Sequence, residues 1–263
     1  MVVAVLVSLG PGAARAAVTT AVDGSRLVVT GDATPADLDI GPGDDATSVV
    51  LTGQAGTTID GAASLAVSGV RGLVVELGDA ADTVTAHDLR LPGRIVLRLG
   101  GGDDVLTLQS LRTRSRLRVY GGAGADTVTV DHLTADAAVT LKGNRGGDDI
   151  AVTDAVVQRR TILDGGRGPD RLRLVDVRAG GLAPVAVWAG PGNDRVVVRG
   201  GRFEAPVRLY CGNQDDDLVV EDLAFYDEAV LDGGDGDDLV RLWGFVLFQS
   251  FDSDVRRFEH VDD

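Results

Sequence analysis

Lysine, glutamate, cysteine and aromatic side chains are all scarce in this sequence. Of 263 residues one is Lys, five are Glu, one is Cys and 4% are aromatic. Glu and Lys favour helices and Gly opposes them, so their shortage beside 36 Gly argues against a helical bundle and against a Rossmann-type fold. The lone Cys211 has no partner for an intrachain disulfide, and a Cys-based metal site is excluded. Long apolar runs are missing too. Residues 2–9 form a mostly apolar stretch of eight, against the ~20 that a membrane-spanning helix requires, so no membrane span is expected.

What remains is rich in Gly, Asp (35), Arg (24) and Val. These residues populate turns and strands. At 44% hydrophobic the chain can build a core, despite a net charge of −15. That charge disfavours general binding to nucleic acid or anionic lipid. It points instead to cations, cationic surfaces or neutral polymers as partners.

The short apolar run is followed by Gly10-Pro11-Gly12 and then by Ala14-Arg15-Ala16. An apolar run followed by a small-x-small site is what a signal peptidase reads, so residues 1–16 are expected to be a signal peptide. A secreted or cell-surface protein follows from that expectation, with the periplasm as a further option.

After Val18 the chain repeats with a constant period. Asp82, Asp104, Asp126, Asp148, Asp170, Asp194, Asp216 and Asp238 mark a ladder whose every step is 22, except for the step of 24 between Asp170 and Asp194. Stepping back by 24 and 22 reaches Thr58 and Ala36, which are expected to hold the same place in two degenerate coils. Seven before each Asp stands a large aliphatic residue such as Leu97, Val119, Leu141 or Leu209. Two and four after it stand pairs such as Val128/Val130 and Leu172/Leu174. Apolar positions two apart are the signature of a strand with one face inward.

Short strands and Gly-rich turns at a constant spacing predict a solenoid. The expectation is an all-β, single right-handed parallel β-helix of about ten coils over residues 17–242, forming a rod of ~45 Å. Three strands per coil are favoured over two, because Leu89, Leu111, Leu133, Val177 and Leu223 suggest a third. Trp243, Phe245, Phe248, Phe251 and Phe258 cluster in residues 243–263 and predict an aromatic C-terminal cap.

One chemical motif precedes the ladder. Its forms include Gly121-Gly-Ala-Gly-Ala-Asp126, Gly165-Gly-Arg-Gly-Pro-Asp170 and Gly233-Gly-Asp-Gly-Asp-Asp238, with Cys211-Gly-Asn-Gln-Asp-Asp216 as a variant. These loops resemble the Gly-Gly-x-Gly-x-Asp repeat of secreted RTX, or hemolysin-type, calcium-binding proteins. The resemblance covers about residues 121–241 and implies Ca²⁺ held between stacked loops by Asp. The period is longer than the two nonapeptides of an RTX coil and is closer to that of right-handed β-helices. The second turn of each coil, for example residues 131–137, lacks the motif.

The residues themselves also bear on a cation. Ionised carboxylates about 5 Å apart repel by ~1 kcal/mol in water and ~3 kcal/mol at an effective dielectric near 20. Calcium, which takes six to eight oxygens, would relieve this at Asp104, Asp126, Asp148, Asp170 and Asp194. Hydrogen bonds from loop N–H groups are the metal-free alternative. Asp215, Asp216 and Asp217 lie one coil from Asp235, Asp237 and Asp238 with no Arg in either loop, which makes this the first expected calcium site.

Six before the ladder an outward row contains Tyr120, Lys142, Trp188 and Tyr210, a candidate glycan face. His87, His132 and His260 occupy different places in the repeat, so no catalytic arrangement is suggested and no enzyme is expected. The reading is an exported, calcium-binding β-solenoid with a structural or adhesive role. Its rivals are a carbohydrate-binding or polysaccharide-degrading β-helix and a metal-free scaffold. Extracellular polysaccharide or a cell-surface component is the expected partner besides calcium.

Overall fold

A computed structural model describes residues 16–180, 183–250 and 253–262. The expected signal peptide therefore lies outside the described residues, apart from Ala16, and so do Phe251 and Asp252.

Every regular turn has the same build. In the turn of Asp126, a long strand, Leu117–Ala123, is followed by the Gly loop, a second strand, Thr127–Asp131, and a short third strand, Thr134–Ala135. The next turn lays Val139–Arg145, Asp149–Thr153 and Val156–Val157 on these in parallel, pairing Leu117 with Val139, Thr127 with Asp149 and Thr134 with Val156. Three strand columns per turn are thus present. The second and third columns fuse in the strands Asp217–Phe225 and Leu239–Phe248, so the hydrogen-bonded sheets number two, of 12 and 18 strands.

The constant spacing works because equivalent residues of successive turns pair in register, which keeps each apolar set on the inner face. Leu97, Val119, Leu141, Leu163, Val187, Leu209 and Leu231 form one fully buried column. Val128/Val130 and Leu172/Leu174 line the second face. Full burial of each such side chain contributes ~1.5–3 kcal/mol. The third column is filled by Leu91, Thr113, Ala135, Val157, Ala179, Phe203 and Phe225, nine after each ladder Asp. Its chemistry is too mixed to stand out in the sequence.

The solenoid has about eight regular turns rather than ten, and the difference lies at the N-terminal end. Arg26–Thr30 pairs directly with Gly72–Glu76, and Asp37–Pro42 pairs with Thr83–His87. Ala36 does sit below Asp82, to whose Oδ1 it donates its N–H at 2.7 Å across 46 residues. Thr58 does not join the ladder; it pairs with Ala17. The segment between is an excursion in which Val49–Gly53 runs antiparallel to Asp37–Pro42 and Ser64–Val67 antiparallel to Val49–Gly53. Chain reversal here stops the parallel stack from presenting an open end.

At the other end the stack continues into the expected cap. Asp254–Arg256 pairs in parallel with Val230–Asp232, and His260–Asp262 pairs with Leu239–Arg241. Phe203, Phe225 and Phe248 stack at centroid distances of 5.8 and 5.2 Å, and Phe258 packs against the core. Trp243 and Phe245 remain exposed.

Candidate functional site

The ladder Asp residues turn inward. All eight are buried, from 0% exposed at Asp238 to 4% at Asp194. In four turns, those of Asp126, Asp148, Asp170 and Asp238, the residue five earlier is a glycine that leaves room for the carboxyl group. A Cβ on Gly121 would stand 2.3 Å from Asp126 Oδ2 and 2.9 Å from the Gly143 carbonyl oxygen, and Gly143 stands in the same relation to Asp148 and Gly165. The carboxyl group thus occupies the space of the missing side chain. Gly122, at φ +129°, is held by a second demand, because a Cβ there would fall 1.9 Å from the Gly100 carbonyl oxygen. Leu99, Ala189 and Cys211 take the place of Gly121 in other turns and are fully buried. Burial pushes the Cys211 thiol up, so it stays protonated.

Each carboxyl group is bonded to the turn before it. The N–H of Asp82 donates to Asp104 Oδ1 at 2.7 Å, and that of Asp104 to Asp126 Oδ1 at 3.0 Å. The chain of bonds continues from Asp126 to Asp148 (2.8 Å), Asp148 to Asp170 (2.7 Å), Asp170 to Asp194 (2.7 Å), Asp194 to Asp216 (2.7 Å) and Asp216 to Asp238 (2.8 Å). The Asp238 N–H closes the ladder on Glu259 Oε2 at 2.6 Å. These are bonds between turns, not the Asx-turns within a loop that the sequence suggests. The second oxygen is different. Oδ2 of all eight Asp is buried without a hydrogen-bond partner.

An orphaned, buried carboxylate oxygen is costly when charged. Burial therefore moves these groups upward, against the stabilising pull of the backbone N–H, and neighbouring carboxylates add to the rise at several of them. Asp126 and Asp194 are raised to about 6, Asp104 and Asp170 to about 7 and Asp216 to about 8. Asp82, Asp148 and Asp238 shift in the same direction. The upward shift favours the protonated form along the column, where the sequence suggests fixed negative charge.

The remaining expected ligands are dispersed. Asp217 faces outward and is shared by Arg195, at 2.7 Å, and Arg241. Asp215, Asp235 and Asp237 stay on the exposed loop edge, where Asp215 Oδ1 accepts the Asp237 N–H at 3.0 Å. No family model, no curated protein and no solved structure matches the chain. Its chemistry must be read from its own residues.

The outward row forms as the register requires, pairing Arg98 with Tyr120, Tyr120 with Lys142, Asp164 with Trp188 and Trp188 with Tyr210. Much of it is engaged between turns. Arg98 bonds Glu76 at 2.7 Å and lies 5.7 Å from the Tyr120 ring centre, and Lys142 bonds Asp164 at 2.5 Å.

The second turn, which lacks a motif in the sequence, carries a conformational one. Asp88, Ser110, His132, Asp154, Asp176, Gly200, Asp222 and Gly244, each six after a ladder Asp, all have φ between +49° and +68°. Asp, Gly and His tolerate this left-handed region, and their recurrence at one repeat position was the available signal. Here His132 Nδ1 lies 2.7 Å from Asp131 Oδ2, with Asp154 Oδ2 3.7 Å from Nε2. Half-buried Asp131 and exposed His132 and Asp154 bring their donor atoms within 4.8 Å of one another.

Proposed function

We propose that the chain is an exported structural or adhesive scaffold, a rod that presents flat sheet faces to a cell-surface or extracellular polysaccharide partner. The observation that supports this most is the continuous tie between turns. Eight buried carboxyl groups each clasp the preceding turn, and the outward row pairs across turns as well. Such cross-links stiffen a rod and serve no evident chemistry. The scaffold is tested by incubating the protein with neutral and acidic polysaccharides. Binding without release of reducing ends or unsaturated products supports it, and depolymerisation overturns it in favour of the enzyme alternative.

Calcium is a second reading, favoured by the orphaned Oδ2 atoms and by the likeness of the loops to RTX repeats. Asp215, Asp235 and Asp237 on the loop edge, with Oδ2 of Asp216 and Asp238 beneath, are the residues that would hold the ion. Asp217 is withdrawn from this set by its two Arg partners. Calorimetric titration of the chain with calcium is the test. A melting temperature identical in calcium and in chelator removes this reading and leaves the scaffold metal-free.

A further inference from the structure

Against a net charge of −15, residues 90–118 hold seven Arg and only two acidic residues, Asp103 and Asp104. The fold gathers these Arg residues. Arg90 pairs in register with Arg112. Around the same corner the carbonyl oxygens of Arg71, Arg94 and Arg116 accept N–H groups from the adjoining turns, at 2.6 Å from Gly93, 3.0 Å from Leu73 and 3.0 Å from Ile95. Arg71, Arg90, Arg94, Arg112, Arg114 and Arg116 are all exposed. Arg90, Arg112 and Arg114 line a groove of about 230 Å³ together with Ala46, Leu91 and Pro92.

None of these six has a carboxylate partner among the described residues. In the later turns Arg173, Arg195, Arg199, Arg202, Arg208 and Arg241 have one, whereas Arg145, Arg159, Arg160, Arg167, Arg171 and Arg178 have none among the described residues, so it is the local scarcity of acids that sets the patch apart. The acids at the groove's rim are already engaged, Asp45 by the N–H and hydroxyl of Thr47 and Asp88 by His87. Six guanidinium groups thus face solvent on neighbouring turns about 4.8 Å apart, with exposed Asp136 beside Arg114 in register as the neighbouring acid, and an anion from outside would relieve their mutual repulsion.

We propose that Arg71, Arg90, Arg94, Arg112, Arg114 and Arg116 form a binding site for an acidic polysaccharide, one carrying carboxylate or sulfate groups on its sugars. The proposal rests on the adhesive reading above and names the partner. Guanidinium forks match planar or tetrahedral oxyanions with paired hydrogen bonds. The patch spans only a few turns within a strongly acidic rod. A DNA duplex or a lipid surface would extend past it onto carboxylates, whereas a thin linear polyanion crosses it. No aromatic side chain lines the groove to stack nucleobases.

The test uses the full chain, with oligogalacturonides as the carboxylate probe, heparin-derived oligosaccharides as the sulfate probe and dextran as the neutral control. The expected result is salt-sensitive binding of at least one acidic probe and none of dextran. Arg90→Glu/Arg112→Glu/Arg114→Glu weakens it by roughly tenfold or more. The milder Arg→Gln triple variant weakens it in the same direction, and Arg178→Glu, elsewhere on the rod, leaves it unchanged. Unweakened binding by both triple variants, an equal loss in Arg178→Glu or no binding by the wild type overturns the proposal. So does tighter, patch-dependent binding of duplex DNA, of phosphatidylglycerol vesicles or of a second copy of the chain. Release of reducing ends instead overturns the scaffold reading and leaves the patch to be judged on binding alone.

Discussion

The backbone N–H of Asp126 donates to Oδ1 of Asp148, one turn further along, at 2.8 Å, while Oδ2 of the same carboxyl group is buried without a partner. One oxygen joins two turns and the other makes ionisation costly. That asymmetry, repeated through eight turns, governs how the rod should respond to pH and mutation.

Stability is expected to fall as pH rises through neutrality. Burial raises all eight ladder groups above their unfolded values, five of them to between about 6, as at Asp126, and about 8, at Asp216. Their contribution is therefore complete below the ordinary carboxylate range and is lost as pH rises through about 6 to 8. Melting followed by circular dichroism at pH 5 and pH 9 checks this. A higher melting temperature at pH 9 contradicts it.

Asparagine should mimic the protonated acid. Asp126→Asn with Asp148→Asn keeps an acceptor for the neighbouring N–H and removes the titrating proton. The double variant is expected to flatten the pH dependence and to match or exceed wild-type stability at pH 8. A pH profile parallel to the wild type would place the titration elsewhere.

Alanine should behave differently from asparagine at the same site. Asp148→Ala leaves the buried Asp126 N–H without its acceptor, a loss of about 1–3 kcal/mol. Denaturant unfolding at pH 5 and pH 8 compares this loss with the relief of a buried charge, which burial of Asp148 makes costlier as the acid ionises.

Gly122→Ala is expected to destabilise more than an exposed substitution. The new Cβ combines a left-handed backbone at φ +129° with a carbonyl oxygen 1.9 Å away. Strain of this kind costs on the order of 1–3 kcal/mol before any displacement of the neighbouring turn. Cys211→Ala, at a fully buried position that holds Ala189 in the preceding turn, is the mild control.

Inserting one residue after Val130 should prevent folding of the turns that follow, because it directs one strand's apolar set outward. Loss of cooperative unfolding, measured by calorimetry, is the expected readout.

The constant period, the inward aliphatic columns and the ladder position were legible in the chain itself. Strand periodicity and stacking demand that equivalent residues recur at one spacing, as Leu97, Val119 and Leu141 do. Direction was not legible. Alternation of two looks the same in parallel and antiparallel strands, so Thr58 fits the spacing while lying in a reversed excursion. Nor does a sequence say on which side of a loop a carboxyl group lies. Only the packed turns place Asp126 in the space that Gly121 leaves empty, out of water and beside a neighbour's N–H. The same stacking gathers Arg90, Arg94, Arg112 and Arg116 into a basic face on an acidic chain. Composition determines the total charge, but the folded turns decide which charges meet, because neighbours along the rod lie a whole turn apart in the chain.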